Sequence, residues 1–142
     1  MSEITNNFSS KNANCISGEG EIIPYHALSS LGAGAALVLA PHADYEVFGC
    51  GGAIMRHVAA GAAVSVVILT DGAAGQASAA QRTAYAAQRR QESQAAAQIL
   101  GYCTPLFWDY PDRELPYDEA LVQRVSALLE ACAACWLYAP SP

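Results

Sequence analysis

The chain has 142 residues, of which 53% are hydrophobic and 14% are charged, whereas roughly 25% charged residues is usual for a soluble globular protein. This apolar content excludes disorder over most of the chain, and the length fits one domain with its own hydrophobic core. The net charge of −6 argues against a nucleic-acid-binding protein, which needs a dense basic patch, and no apolar stretch approaches the ~18 residues of a membrane span.

Residues 1–33 show no sustained hydrophobic period, and we expect them to form a flexible N-terminal arm before an α/β domain over residues 34–142. The arm does not begin with a basic segment followed by an apolar one, so no secretory signal is predicted and a cytoplasmic location is expected. In that compartment we expect the five cysteines to be buried free thiols. Cys132 and Cys135 have the CxxC spacing of a redox or metal pair, but neither a second CxxC nor a nearby histidine accompanies them.

The first half of the domain alternates between strand and helix patterns. Residues 35–40 are a short apolar run closed by Pro41, which predicts a strand buried on both faces of a parallel sheet. Residues 51–60 have helical spacing, and Gly61 is placed where a helix ends. Residues 64–69 are apolar and rich in β-branched side chains, which predicts a second strand.

The same alternation continues in the second half. Residues 83–100 are dominated by Ala and Gln and contain neither Gly nor Pro, so they favour a helix, which Gly101 ends. A third strand, a third helix and a fourth strand are then predicted over residues 103–108, 117–132 and 136–139. A series of this kind predicts a Rossmann-like α/β sandwich with a mainly parallel sheet flanked by helices.

Polar side chains follow the first predicted strand, with a histidine, two carboxylates and a tyrosine at positions 42–46. In an open parallel sheet, ligands bind beyond the carboxyl ends of the strands. Acidic residues also follow the second and third strands, at Asp71 and within residues 109–112, so we expect acidic loops to share one rim. The alternative is that His42 and Asp44 only cap the next helix or bind loop backbone groups.

Gly49, Gly51 and Gly52 lie around the predicted start of the first helix, as glycines do in a phosphate-binding loop. The G-x-G-x-x-G fingerprint is incomplete because Ile54 stands where its last glycine belongs. Two carboxylates upstream would also repel a pyrophosphate. Close packing of the helix on the sheet is the alternative explanation for these glycines.

Residues 38–52 and 64–72 resemble the N-terminal half of the PIG-L/LmbE-like family of zinc-dependent N-acetylglucosaminyl deacetylases, whose opening motif has the form H-[PA]-D-D-E before a Gly-rich helix start. The resemblance continues in three segments that match the family's R-x-x-E, its P-D-x-x-L loop and the strand before its last metal motif: residues 89–92, 110–115 and 137–140. Four motifs in the same order are more specific than any one of them.

The resemblance implies hydrolysis of the acetamide of a small-molecule amino-sugar conjugate, with His42 as a zinc ligand and Asp44 as general base. It also implies that Arg89 and Asp112 contact the sugar. Zinc in such a hydrolase takes three protein ligands and a water, whose pKa it lowers towards neutrality. From the residues alone, Arg89 could instead form only a local ion pair on its helix, and Asp112 only a turn.

Two departures from the family pattern reduce the expected ligand set. Tyr45 stands where the family has its second aspartate, a metal ligand, and a phenol with a reference pKa near 10 binds a metal only as phenolate. The family's third ligand is a histidine that would follow residue 142. Neither His26 nor His57, which we expect at the surface or at a helix terminus, is an obvious substitute. We therefore expect weak zinc binding and little or no deacetylase activity from this chain.

A second function from another class stays open, namely a non-catalytic sugar- or nucleotide-binding α/β module that keeps the scaffold without the metal. Stoichiometric zinc that is lost in His42→Ala would distinguish the enzyme from the module. We also expect a sheet that is incomplete at the C-terminus, because no helix follows the fourth predicted strand. An apolar face left uncovered there would favour self-association.

Overall fold

A computed structural model describes residues 30–140, which form an α/β fold on a four-stranded sheet. Strands and helices alternate in the order β1 (Ala35–Ala40), α1 (Tyr45–Ala59), β2 (Val64–Thr70), α2 (Ala79–Leu100), β3 (Leu106–Tyr110), α3 (Glu119–Ala131) and β4 (Ala134–Tyr138). Neighbouring strands are all parallel, and their spatial order is β3-β2-β1-β4. The predicted Rossmann-like fold with a parallel sheet is confirmed. Most of the predicted N-terminal arm lies outside the described residues, and its boundary stays a prediction.

The sheet has apolar side chains on both faces, which explains why its central strands are continuous apolar runs. Val66 of β2 packs in one cluster with Ile54 of α1. The next residue, Val67, belongs to a separate cluster with Leu128 of α3. Successive side chains of a strand point to opposite faces, so α1 and α3 cover different sides of the sheet.

The strand order places a crevice at the carboxyl end of β1. From β1 the chain moves through β2 to β3 on one side, and β4 then pairs with the other edge of β1. In doubly wound sheets, ligands bind where the strand order reverses in this way, beyond the carboxyl ends of the strands. The residues that follow β1 therefore occupy the position where a binding site is expected.

The start of α1 differs from the prediction, because the helix begins at Tyr45 rather than at residue 51. Glycine disfavours a helix interior by about 1 kcal/mol relative to alanine, so the glycines suggested a later start. Gly49, Gly51 and Gly52 lie inside α1 and do not form a phosphate-binding loop. A Cβ atom at Gly49 or Gly52 would meet nothing within 4 Å, so close packing does not explain these two glycines either.

A capping box moves the start of α2 from the predicted residue 83 to Ala79. The hydroxyl of Ser78 accepts the backbone N–H of Gln81 at 3.3 Å, and the Gln81 side chain accepts the N–H of Ser78 at 3.0 Å. These bonds satisfy two donors that a helix start leaves open. Gly101 ends the helix with a φ of 80°, at the position that we predicted.

The remaining elements are present, but their bounds are shifted. β3 begins at Leu106 rather than at residue 103, and β4 spans Ala134–Tyr138 rather than residues 136–139. The third helix begins two residues later than predicted, because the carboxylate of Asp118 accepts the N–H of Leu121 at 2.9 Å and caps it, and it ends one residue earlier. None of the helices within residues 30–140 is long and apolar enough to cross a membrane.

His57 lies in the last turn of α1, as one of the two expected placements has it, but it is buried rather than at the surface. Its side chain is 1% exposed, and Nε2 lies 2.9 Å from the hydroxyl oxygen of Tyr138 on β4. The expectation that the cysteines are buried is also wrong within the described residues. Cys103 and Cys135 are exposed, whereas Cys50 and Cys132 are half-buried.

Candidate functional site

The loops that leave β1, β2 and β3 meet at one edge of the sheet. His42 and Asp44 follow β1, Asp71 follows β2, and Asp112 follows β3. A cavity of about 130 Å³ is lined by residues of two loops, of the first turn of α1 and of α2: His42, Ala43, Asp44, Tyr45, Asp71, Gly72, Tyr85 and Arg89. Four of the predicted site residues therefore line one cavity, and the fifth, Asp112, is hydrogen-bonded to His42.

The contact between His42 and Asp112 joins the first and third loops. Nε2 of His42 lies 2.7 Å from Oδ1 of Asp112, whose other carboxylate oxygen accepts the N–H of Ala74 at 3.3 Å. Burial raises the pKa of Asp112, but the hydrogen bond and charge of His42 and the N–H of Ala74 outweigh it and hold this pKa below its ordinary value. While this contact is kept, a ligand reaches the imidazole only through Nδ1.

Asp71 connects the loop after β2 to the loop after β3 by hydrogen bonds. Its Oδ1 atom accepts the backbone N–H groups of Ala73 and of Asp112, each at 3.0 Å. Because it accepts donors from both loops, Asp71 sets the position from which Asp112 reaches His42. The sequence indicated an acidic residue at this rim but not its structural role.

Asp44 has an unusual backbone conformation and is held by Arg89. Its φ of 114° lies in the left-handed region that non-glycine residues rarely adopt. Arg89 donates to the Asp44 carboxylate and to the carbonyl oxygen of Ala43, and also to Glu92 at 2.6 Å. The local ion pair on the helix is thus present, and the same guanidinium reaches the loop after β1.

Tyr45 begins α1 beside the imidazole. Its side chain is 50% exposed. The ring centroids of Tyr45 and His42 are 5.4 Å apart, with an angle of 68° between the ring planes. An aromatic ring therefore lies where the resemblance places a ligating carboxylate.

Glu46 is part of the site region, although our sequence analysis gave it no role. Its side chain is 0% exposed, and its carboxylate accepts the hydroxyl of Ser93 at 2.6 Å and the backbone N–H of Asp44 at 2.8 Å. Burial and the charge of Glu46 raise the pKa of Tyr102 to about 12. The available signal was the final glutamate of the opening motif. Tyr85, which was also missed, lies one helical turn before Arg89.

The described donors do not fit a complete zinc site. Within residues 30–140, no group of three or more His, Cys, Asp or Glu side chains is placed to hold a metal ion. His42 and Asp44 supply one imidazole and one carboxylate, but the carboxylate is paired with Arg89. A catalytic zinc needs three protein ligands.

A model of a known protein family matches residues 37–142, and its description is PIG-L: GlcNAc-PI de-N-acetylase. The N,N'-diacetylchitobiose deacetylase of Pyrococcus horikoshii is similar in structure, with a TM-score of 0.68 and 31% identity over 75% of this chain and 40% of that one. GalB, the 4-carboxy-2-hydroxymuconate hydratase of Pseudomonas putida, has a TM-score of 0.64 and 28% identity over 74% of this chain and 46% of its own.

The conserved protein TT1542 of Thermus thermophilus has a TM-score of 0.61 and 27% identity over 75% of this chain and 46% of its own. The chain thus spans less than half the length of each of these three structures. No curated protein matches it. The similar structures include both a deacetylase and a hydratase.

Proposed function

Since the chain belongs to the PIG-L family through residues 37–142, we propose that it is a hydrolase of the N-deacetylase type that acts on an N-acetylated amino-sugar conjugate. In this reaction water adds to the acetamide carbonyl, the C–N bond breaks, and acetate and a free amine are formed. The family match supports this chemistry, as does the 31% identity to a solved N,N'-diacetylchitobiose deacetylase.

One observation carries the proposal: His42 and Asp44 leave the central strand β1 and line the same cavity. We assign the role of general base to Asp44, because a carboxylate beside a water molecule can accept its proton as the oxygen attacks. We assign sugar contacts to Arg89, which lines this cavity, and to Asp112, which borders an adjoining cavity of about 490 Å³.

We propose zinc as the cofactor, and His42 as the residue of this chain that binds it. Zinc in a complete site of this family polarises the acetamide and lowers the pKa of a bound water. Here Tyr45 stands in place of a carboxylate ligand, and Asp44 is paired with Arg89. We therefore propose that this chain binds zinc weakly and that its deacetylation is slow.

A second candidate is a sugar-binding module without catalysis. The pairing of Asp44 with Arg89 favours it, because the ion pair occupies the carboxylate that would otherwise accept a proton from water. Such a module would bind the amino sugar in the same cavity and release no acetate.

Acetate release from an N-acetylglucosamine conjugate, measured with the 142-residue chain and added zinc, tests the proposal. We expect slow release that is lost in Asp44→Asn and unchanged in Glu130→Gln, a matched change of an exposed carboxylate on α3. Equal release by Asp44→Asn would reject the role of Asp44. Saturable binding of the sugar with no release at all would support the binding module instead.

A further inference from the structure

The carboxylate of Glu46 is buried, and its hydrogen bonds within residues 30–140 come from neutral donors. It is held between three elements: the loop before α1, through the backbone N–H of Asp44 at 2.8 Å; α2, through the hydroxyl of Ser93 at 2.6 Å; and the segment after α2, through the hydroxyl of Tyr102 at 3.4 Å. Burying a carboxylate costs free energy that such bonds must offset.

Helix capping alone does not account for this arrangement. A carboxylate in the first turn can cap a helix and interact with its dipole from an exposed position, as such residues ordinarily do. Glu46 is instead fully buried, and its second oxygen is bound by Ser93 of another helix. This tie anchors the first turn of α1 to α2.

Asp44, whose N–H the Glu46 carboxylate binds, has a strained backbone. Asp44 has a φ of 114°, a conformation that costs an L-residue about 1–2 kcal/mol relative to the right-handed region. Glu46 holds Asp44 by its N–H, while Arg89 holds it by its carboxylate and holds Ala43 by its carbonyl oxygen. Relaxation of φ to a negative value would turn the Asp44 side chain away from its present direction.

We propose that Glu46 is a positioning residue, whose buried carboxylate keeps the backbone of Asp44 in the left-handed conformation and thereby directs the Asp44 carboxylate into the cavity. The inference rests on the proposed function only in the use of the directed carboxylate, which is the proposed general base. The conformational effect itself is measured on the folded protein without any turnover.

A double-mutant cycle tests the proposal by urea unfolding. Glycine adopts positive φ without strain, so Glu46→Leu should be less harmful when residue 44 needs no support. We expect Glu46→Leu to raise the unfolding equilibrium constant in both backgrounds. The increase should be at least about fivefold smaller in the Asp44→Gly background than in the unaltered chain. Glu46→Gln, which keeps one oxygen as an acceptor, should recover part of the loss.

Ser93→Ala is the matched control, because it removes one bond to Glu46 without touching residue 44. Its effect should be the same in both backgrounds. Equal effects of Glu46→Leu in the two backgrounds, or a coupling as large for Ser93→Ala, would overturn the proposal and leave Glu46 a packing residue.

Amide hydrogen exchange of the unaltered chain decides the question if Glu46→Leu does not fold. An Asp44 N–H bonded to a buried carboxylate should exchange at least about a hundredfold more slowly than the N–H of an unstructured peptide. Exchange at the unprotected rate would overturn the proposal. Slow exchange together with no acetate release would support the bond between Glu46 and Asp44 and reject only the proposed catalysis.

Discussion

Nε2 of His42 lies 2.7 Å from Oδ1 of Asp112, a residue 70 positions further along the chain. The contact joins the loops after β1 and β3, which are separated in the sheet by β2. Asp112 is 14% exposed, so the carboxylate that orients the imidazole is largely shielded from water.

Asp112→Asn should destabilise the fold by about 1–3 kcal/mol at pH 7, because it replaces a charged acceptor of two hydrogen bonds. The pKa of Asp112 is lower in the folded protein than its ordinary value of 3.8. Its stabilising contribution is therefore complete above that value and is lost as the pH falls through the lower, folded-state pKa. Urea unfolding at pH 7 and under strongly acidic conditions measures both effects.

Glu114→Gln, in the same loop but exposed, is the control and should leave the stability near that of the unaltered chain. The difference between Asp112→Asn and the unaltered chain should shrink under strongly acidic conditions. A difference that stays constant with pH would contradict the assignment of the acid sensitivity to Asp112.

Tyr45→Asp should tighten zinc binding. It puts a carboxylate beside His42, where the ring of Tyr45 now lies. Loss of a partner that only orients a ligand costs roughly 10–100-fold in metal affinity, so a direct ligand should contribute at least as much. Titration of zinc against a chelating dye measures the change.

Tyr45→Asn controls for the loss of the ring without adding a charge, and it should not tighten binding. In the Tyr45→Asp chain, a further His42→Ala change should bring the affinity back to that of the unaltered chain. If Tyr45→Asp binds zinc no better than Tyr45→Asn, residue 45 is not a ligand position in this fold.

The strands that the sequence predicted best are those with continuous apolar runs. β1 agrees with its predicted bounds, and β2 differs by one residue at its end, because burial on both faces leaves little freedom in side-chain type. The start of α1 could not be predicted in this way. Its glycines weaken the helix locally, and the packing of the helix as a whole on the sheet stabilises it despite them.

The candidate site also contains residues that the sequence could place and residues that it could not. The topology of a parallel sheet brings residues at strand ends together, so His42 and Asp44 could be placed from their positions alone. The hydrogen bonds of Glu46 connect residues 46, 93 and 102, and no local sequence pattern predicts contacts between residues so far apart in the chain. The burial of His57 was missed for the same reason, because its partner Tyr138 is 81 positions away.

Tyr138→Phe should destabilise the protein by about 1–2 kcal/mol, because it removes the hydroxyl that lies 2.9 Å from Nε2 of buried His57. Nδ1 of the same ring has no hydrogen-bond partner within residues 30–140, so the change leaves both ring nitrogens unsatisfied there. Tyr110→Phe is the control, since that hydroxyl lies at the surface and accepts from Arg124 at 3.3 Å. Equal losses of unfolding free energy in the two variants would show that the bond to His57 contributes nothing specific.

Tyr102→Phe should remove an alkaline sensitivity of the fold. Burial and the nearby charge of Glu46 raise the pKa of Tyr102 from 10.0 to about 12. A group whose pKa is raised on folding stabilises the protein fully below its unfolded-state pKa and loses that contribution as the pH rises through the folded value. The unaltered chain should therefore lose up to about 2 kcal/mol between pH 10 and 12 through this residue.

Urea unfolding on either side of that interval checks the loss, and tyrosinate absorbance follows the titration itself. Tyr117→Phe, at an exposed position, should retain the alkaline loss, whereas Tyr102→Phe should not. Glu46→Gln removes the charge that faces Tyr102, so the phenol should then titrate at a lower pH while remaining buried. An unchanged titration in Glu46→Gln would mean that burial raises the pKa of Tyr102 and that the carboxylate of Glu46 does not contribute.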